Sequence, residues 1–173
     1  MQNIAILIGG APGTGKSTLA RSLQITLDLI HLDIDEITKA LNLEANGSQR
    51  WDIIFEKYVQ TLEMKKSLIV SATFKQMDSR VNFMSFAEIQ NYKVFGFFLN
   101  TPEHVLIKRY EMRGQNHFVN QTNGKLKLDQ FHSDFNLQTN EDLSKWYIFD
   151  SNQNSKQDLL SKSIDIINNS FKE

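Results

Sequence analysis

The chain of 173 residues contains no cysteine. That excludes a disulfide scaffold, a thiolate metal site and a cysteine nucleophile, and it suits a reducing compartment. Charge of one sign is also missing: 19 Lys and Arg balance 20 Asp and Glu, for a net charge of -1. No general attraction to nucleic acid or anionic membrane follows from that balance, so a long polyanion is not expected as a partner. Long hydrophobic runs are absent too. The apolar run near the N-terminus, Ile4 to Ile8, is far short of a signal core or a membrane span, and no basic segment precedes it. A cytoplasmic protein with no membrane partner is the expectation. There is no internal repeat, low-complexity tract or interdomain linker. A chain of this length can bury roughly 70% of the surface its unfolded form exposes, so residues 1–173 are expected to form one domain.

What is present alternates between two periods. Ile4 to Ile8 is short, β-branched and closed by Gly9 and Gly10, as a buried strand would be. Lys16 to Leu27 follows with Leu19, Leu23 and Leu27 along one helical face. Further strands are predicted at Leu29 to Leu32, Ser67 to Val70, Val94 to Leu99 and Trp146 to Phe149. Trp51, Ile54, Phe55, Tyr58 and Leu62 form a helical stripe before the third strand, and Leu160, Ile164, Ile167 and Phe171 form another near the C-terminus. Thr101 and Pro102 suit the N-cap and first position of a helix running to about Met112. Strands alternating with helices imply an α/β fold, a parallel sheet with helices on both faces. Arg113 to Leu143 breaks the rhythm, being polar, rich in Asn and Gln, and marked by Asn123-Gly124. A solvated surface excursion and a functional lid both fit that composition.

The sharpest signal is Gly10-Ala11-Pro12-Gly13-Thr14-Gly15-Lys16-Ser17, which matches G-x-x-x-x-G-K-[ST] after a buried strand and at the start of a helix. Its glycines let successive backbone N–H groups converge on phosphate oxygens at a helix N-terminus. Lys16 would reach the β- and γ-phosphates, the Ser17 hydroxyl would ligate Mg²⁺, and Thr18 would support the first helical turn. ATP and Mg²⁺ are the implied cofactors. No D-x-x-G and no N-K-x-D element is present, against a GTPase switch. No hydrophobic run ends in Asp-Glu, against a motor or remodelling ATPase.

Residues 29–37, LIHLDIDEI, carry two acids two positions apart. Ligands of an open parallel sheet bind at the C-terminal ends of its strands, so the second strand delivers Asp33 to the edge that holds the phosphate loop. If the segment stays extended, Asp33 and Asp35 point the same way. Asp35 is then expected to be the general base for an acceptor hydroxyl, and Asp33 to lie on the metal side, holding its water shell or the Ser17 hydroxyl. The order could be reversed. A competing reading makes one of them, Asp35 by preference, the N-cap of a helix beginning near Glu36.

The phosphate loop, the LDIDE segment, SATFKQMDSR at 71–80 and KRYEMRG at 108–114 together resemble P-loop kinases acting on small hydroxyl acceptors. These are the zeta-toxin and polynucleotide-kinase-like ATPases, with shikimate and adenylate kinases as more distant relatives. The resemblance implies a three-layer P-loop NTPase sandwich around a five-stranded parallel sheet of order 2-3-1-4-5, with an acceptor-binding helical region after the second strand. It also implies a mobile lid over about 110–140. By position, Asp35 falls on the family's catalytic aspartate and Asp33 on the metal-side acid. Arg109 would pack against adenine or bridge phosphates, and Arg113 would swing onto the transferring group. Arg80 falls where relatives place a basic residue that touches substrate, and Ser151 and Asn152 fall near the adenine. Ser71 stands where many relatives have an aspartate, and the shikimate kinase glycine triplet is absent, which argues against that substrate. His31, His104 and His132 show no metal spacing and read as surface or edge residues.

The expected activity is therefore transfer of the γ-phosphoryl group of ATP to a hydroxyl of a small molecule, nucleotide or sugar-nucleotide. The alternatives are a regulatory ATP binder without catalysis, or a kinase of polynucleotide 5′-hydroxyl ends, for which the charge balance is less suited.

Overall fold

The computed structural model describes residues 2–43, 49–112 and 146–172. The expected lid, Arg113 included, lies outside these residues apart from the end of one helix. The chain runs β1 (Ile4–Gly10), α1 (Lys16–Leu27), β2 (Ile30–Asp33), α2 (Ile34–Ala40) and α3 (Gln49–Glu63). It continues with β3 (Leu68–Ser71), α4 (Met77–Ile89), β4 (Lys93–Asn100), α5 (Glu103–Met112), β5 (Trp146–Asp150) and α6 (Lys156–Asn169). Among the described residues all pairings are parallel and the sheet order is β2-β3-β1-β4-β5. The expected order is therefore the observed one.

Side chains of the central strand divide by parity between two cores, as a strand buried on both faces requires. Ala5 and Leu7 join Ile54, Tyr58, Leu62, Phe83 and Leu106 from α3, α4 and α5 on one side. Ile4, Ile6 and Ile8 join Leu19, Leu23, Leu159 and Ile167 from α1 and α6 on the other. Truncating one fully buried member such as Leu23 to alanine would cost about 2–5 kcal/mol. Gly96 in β4 makes room for a large neighbour, since a Cβ there would lie 2.5 Å from Cδ2 of Trp146.

Two expected helix details are corrected. Pro102, whose carbonyl accepts from the Val105 and Leu106 amides, stands just before α5 rather than as its first residue, while the Thr101 hydroxyl bonds Ser151 Oγ. Phe171 lies beyond the end of α6 and is exposed, because the apolar face of that helix runs through Leu159, Ser163 and Ile167.

Candidate active site

The C-terminal ends of β1, β2 and β3 bring the phosphate loop, Asp33 and Ser71 to one edge. Gly10 turns out of β1 at φ +138, and a Cβ there would meet the Leu99 carbonyl oxygen at 2.5 Å, so the turn has no room for a side chain. Gly15 caps α1 from the left-handed region at φ +101, offering no side-chain cap, and the first turn of α1 holds no acid. A helix N-terminus with neither side-chain cap nor acid in its first turn is the kind that suits an anion. Between them the Ala11 carbonyl accepts from the Thr14 hydroxyl and from Lys16 Nζ, each at 2.9 Å. The Lys16 ammonium is thus folded onto its own loop.

Asp33 is the hub of the edge. Its Oδ2 accepts from Ser17 Oγ at 2.7 Å and from Ser71 Oγ at 3.0 Å. Its Oδ1 accepts from the backbone N–H groups of Asp35 at 2.9 Å and Glu36 at 3.2 Å. Burial pushes the carboxyl group up, but the bonds from Ser17, Glu36 and Ser71, with His31 nearby, outweigh it and hold Asp33 below its ordinary value. The helix therefore starts at Ile34, and its N-cap is Asp33, not Asp35. The extended geometry expected for the pair stops at Asp33, so the two carboxylates do not share a strand face. Asp35 sits in the first turn of α2 with 59% of its side chain exposed, facing Arg50 NH1 of α3 at 4.0 Å.

Two residues of this edge escaped the sequence reading. His31, read as a surface or edge residue, has a side chain only 4% exposed, with Nε2 2.8 Å from Ser71 Oγ. Burial is the main influence holding its pKa down, with Arg21 adding to it and Asp33 and Glu36 opposing. Burial favours the neutral ring over an ion pair across the 3.9 Å to Asp33 Oδ2. Arg50 is partly buried; burial lowers its pKa and Asp35 raises it, and a guanidinium stays charged through such shifts. No local pattern marks either residue.

Arg80, expected to touch substrate, is fully buried instead, and its Nη1 donates to the Phe74 carbonyl at 2.7 Å. Phe74 has φ +46, a strained setting for a bulky residue, and Arg80 braces that turn after β3. Across the loop, a cleft of about 560 Å³ is lined by Gly13, Thr18, Arg109, Ser151 and Asn152, among others. Arg109 donates from Nη1 to the Gly13 carbonyl and from Nη2 to the Ser151 carbonyl, each at 3.1 Å. Asp150, which could pass for a metal-binding acid at a strand end, instead accepts from the Asn152 and Gln153 amides.

Among the described residues no cluster of three His, Cys, Asp or Glu could hold a metal unaided. One hydroxyl and one carboxylate, both hard oxygen donors beside a phosphate cradle, fit Mg²⁺, which keeps several waters and takes phosphate oxygens as ligands. No helix among them is long and apolar enough to cross a membrane.

Comparison with solved structures finds the same fold in several proteins at low identity, kinases among them. A gluconokinase from Sinorhizobium meliloti 1021 superposes with a TM-score of 0.66 at 15% identity, covering 91% of this chain and 87% of that one. Shikimate kinase from Bacteroides thetaiotaomicron gives 0.65 at 16% identity, with 98% and 99% covered. The tunicamycin resistance protein of Deinococcus radiodurans gives 0.60 at 17%, with 93% of each chain covered. No curated protein matches the sequence. The model of one family, described as an AAA domain, matches residues 6–137, which span the phosphate loop, the acidic edge and Arg109. The chain belongs to this AAA-domain family of P-loop, kinase-like proteins.

Proposed function

We propose that the protein is an ATP-dependent phosphotransferase acting on a hydroxyl of a small molecule, nucleotide or sugar-nucleotide. The observation that carries this reading is the 2.7 Å bond from Ser17 to Asp33, which joins the phosphate loop to an acidic edge where Asp35 stands exposed two residues on. The names of the similar structures, gluconokinase and shikimate kinase, support the reaction class.

In this reading the nucleoside of ATP lies in the cleft bounded by Arg109, Ser151 and Asn152, and the loop amides from Gly10 to Thr18 hold its phosphates. Lys16 leaves the Ala11 carbonyl for the β- and γ-phosphates. Ser17 and Asp33 would hold Mg²⁺, which when bound neutralises charge on the phosphate oxygens. Asp35 orients the acceptor hydroxyl and takes its proton as the acceptor oxygen bonds to the γ-phosphorus. The bond from that phosphorus to the β–γ bridging oxygen breaks, and ADP leaves with the electron pair. Arg50, beside Asp35, steadies the charge of that carboxylate and faces the acceptor side. Arg113, carried over from the family resemblance, would approach the transferring group.

Purified protein incubated with Mg²⁺ and γ-labelled ATP against a panel of hydroxyl-bearing metabolites, nucleosides and oligonucleotide 5′ ends tests this reading. Label is expected on a small acceptor. Tight ATP binding with no label on any of them would mean a regulatory nucleotide binder and overturn the reading.

A further inference from the structure

Ser71 has one hydroxyl proton and two neighbours able to accept it, Asp33 Oδ2 at 3.0 Å and His31 Nε2 at 2.8 Å. Only one can receive it. A carboxylate oxygen is an acceptor alone and draws the stronger, charge-assisted bond, so the Ser71 proton goes to Asp33. Nε2 must then carry its own hydrogen and donate it to the Ser71 oxygen, which also fixes the tautomer of the ring. A directed chain results, from His31 to Ser71 to Asp33, meeting at Oδ2 the bond donated by Ser17. The side chains of His31 and Asp33 are each only 4% exposed, so solvent has little access to replace a missing link.

We propose that His31 is a positioning residue for the metal side of the site: its Nε2–H anchors the Ser71 oxygen where its hydroxyl donates to Asp33 and so holds that carboxylate turned toward Ser17. The two backbone bonds to Oδ1 come from the first turn of α2 and fix one oxygen. They do not by themselves fix the twist of the carboxylate plane. Ser71, held from behind by His31, fixes the second oxygen. Ser17 can then donate its proton to Oδ2 and keep a lone pair aimed at the cation. Without His31, the Ser71 hydroxyl still donates to Asp33 but its oxygen loses the donor that anchors it, so Oδ2, the acceptor for Ser17, is held less firmly. The inference rests on the kinase-like reading of this edge.

The test measures ADP affinity calorimetrically with Mg²⁺ and with EDTA, because the ratio of the two isolates the metal. In His31→Leu, which keeps the bulk and removes the donor, that ratio should fall by about 10- to 100-fold, as for other outer-shell partners, while affinity in EDTA stays at the wild-type value. His31→Gln, which returns an N–H near the Nε2 position, should recover most of the loss, and His31→Asn, with a shorter reach, should not. Ser71→Ala should show the same loss, and adding His31→Leu to it should take nothing further, since His31 acts through Ser71. Should His31→Leu fail to fold, Ser71→Ala and the Gln and Asn pair carry the same expectations. An unchanged ratio, equal behaviour of Gln and Asn, or additive losses with Ser71→Ala would overturn the proposal. A wild-type protein whose ADP affinity ignores Mg²⁺ would overturn the reading of the whole edge, a separate outcome from the first three.

Discussion

Ser17 Oγ and Asp33 Oδ2 stand 2.7 Å apart and tie the first turn of α1 to the last residue of β2. The same carboxylate caps α2, so one residue serves the fold and the site. Asparagine caps a helix about as well as aspartate, so Asp33→Asn should fold normally. It lacks the charge and presents an amide N–H₂ to the two serine hydroxyls. Mg²⁺-dependent nucleotide affinity should drop by roughly 10- to 100-fold, with the thermal midpoint little changed. Calorimetry and a melting curve on one preparation check both halves.

Asp35 is exposed, so its role can be tested without disturbing the fold. Asp35→Asn should keep ATP affinity, lie within about 0.5 kcal/mol of wild-type stability, and lose roughly 10²- to 10⁴-fold in phosphoryl transfer. Acceptor-dependent ADP release at the wild-type rate would remove Asp35 as the base.

Arg109 spans two carbonyls, those of Gly13 and Ser151, across the cleft beside the phosphate loop. Arg109→Ala should weaken ADP binding by about tenfold or more, equivalent to about 1.4 kcal/mol, and by the same factor with and without Mg²⁺. Arg109→Lys should not restore it, because a point ammonium cannot reproduce a fork reaching both walls. Full rescue by lysine would show that charge alone matters there.

Tyr58 gives the fold an alkaline limit. It is fully buried, donates to the Phe83 carbonyl at 2.8 Å, and burial, with smaller contributions from Tyr92 and Glu88, raises its pKa far above the ordinary value. A raised folded-state value means its contribution is fully present below the unfolded pKa near 10 and is lost as pH climbs above that. Stability should therefore fall steeply above about pH 10. Tyr58→Phe should lose about 1 kcal/mol at neutral pH from the missing hydrogen bond, yet show a shallower alkaline decline. Chemical denaturation at neutral and strongly alkaline pH reads both; parallel declines in the two proteins would exclude Tyr58 as the cause.

Local signals were readable from sequence and nonlocal ones were not. α1 begins and ends at the expected residues because the glycine loop before it and the Leu19 and Leu23 stripe are both local. The strand order came from the family resemblance, and the structure has it. The inward setting of His31 depends on the register of β2 against β3, which pairs His31 with Ile69 and Asp33 with Ser71. β2 is an edge strand with Ile30 exposed, so alternation of apolar and polar residues gave no warning. Arg50 meets Asp35 only through the packing of α3 on α2, and Arg80 is buried because the turn at Phe74 folds back over it. A capping aspartate and a metal-side aspartate look alike in a sequence, and here Asp33 both caps α2 and accepts from the Ser17 hydroxyl.

The walls that Arg109 bridges come from distant parts of the polypeptide, Gly13 just after β1 and Ser151 just after β5. On the ribosome the glycine loop emerges well before Ser151, so one wall of the cleft exists long before the other is translated. In the proposed reading, nucleotide can assist folding through both walls only after β5 has docked beside β4.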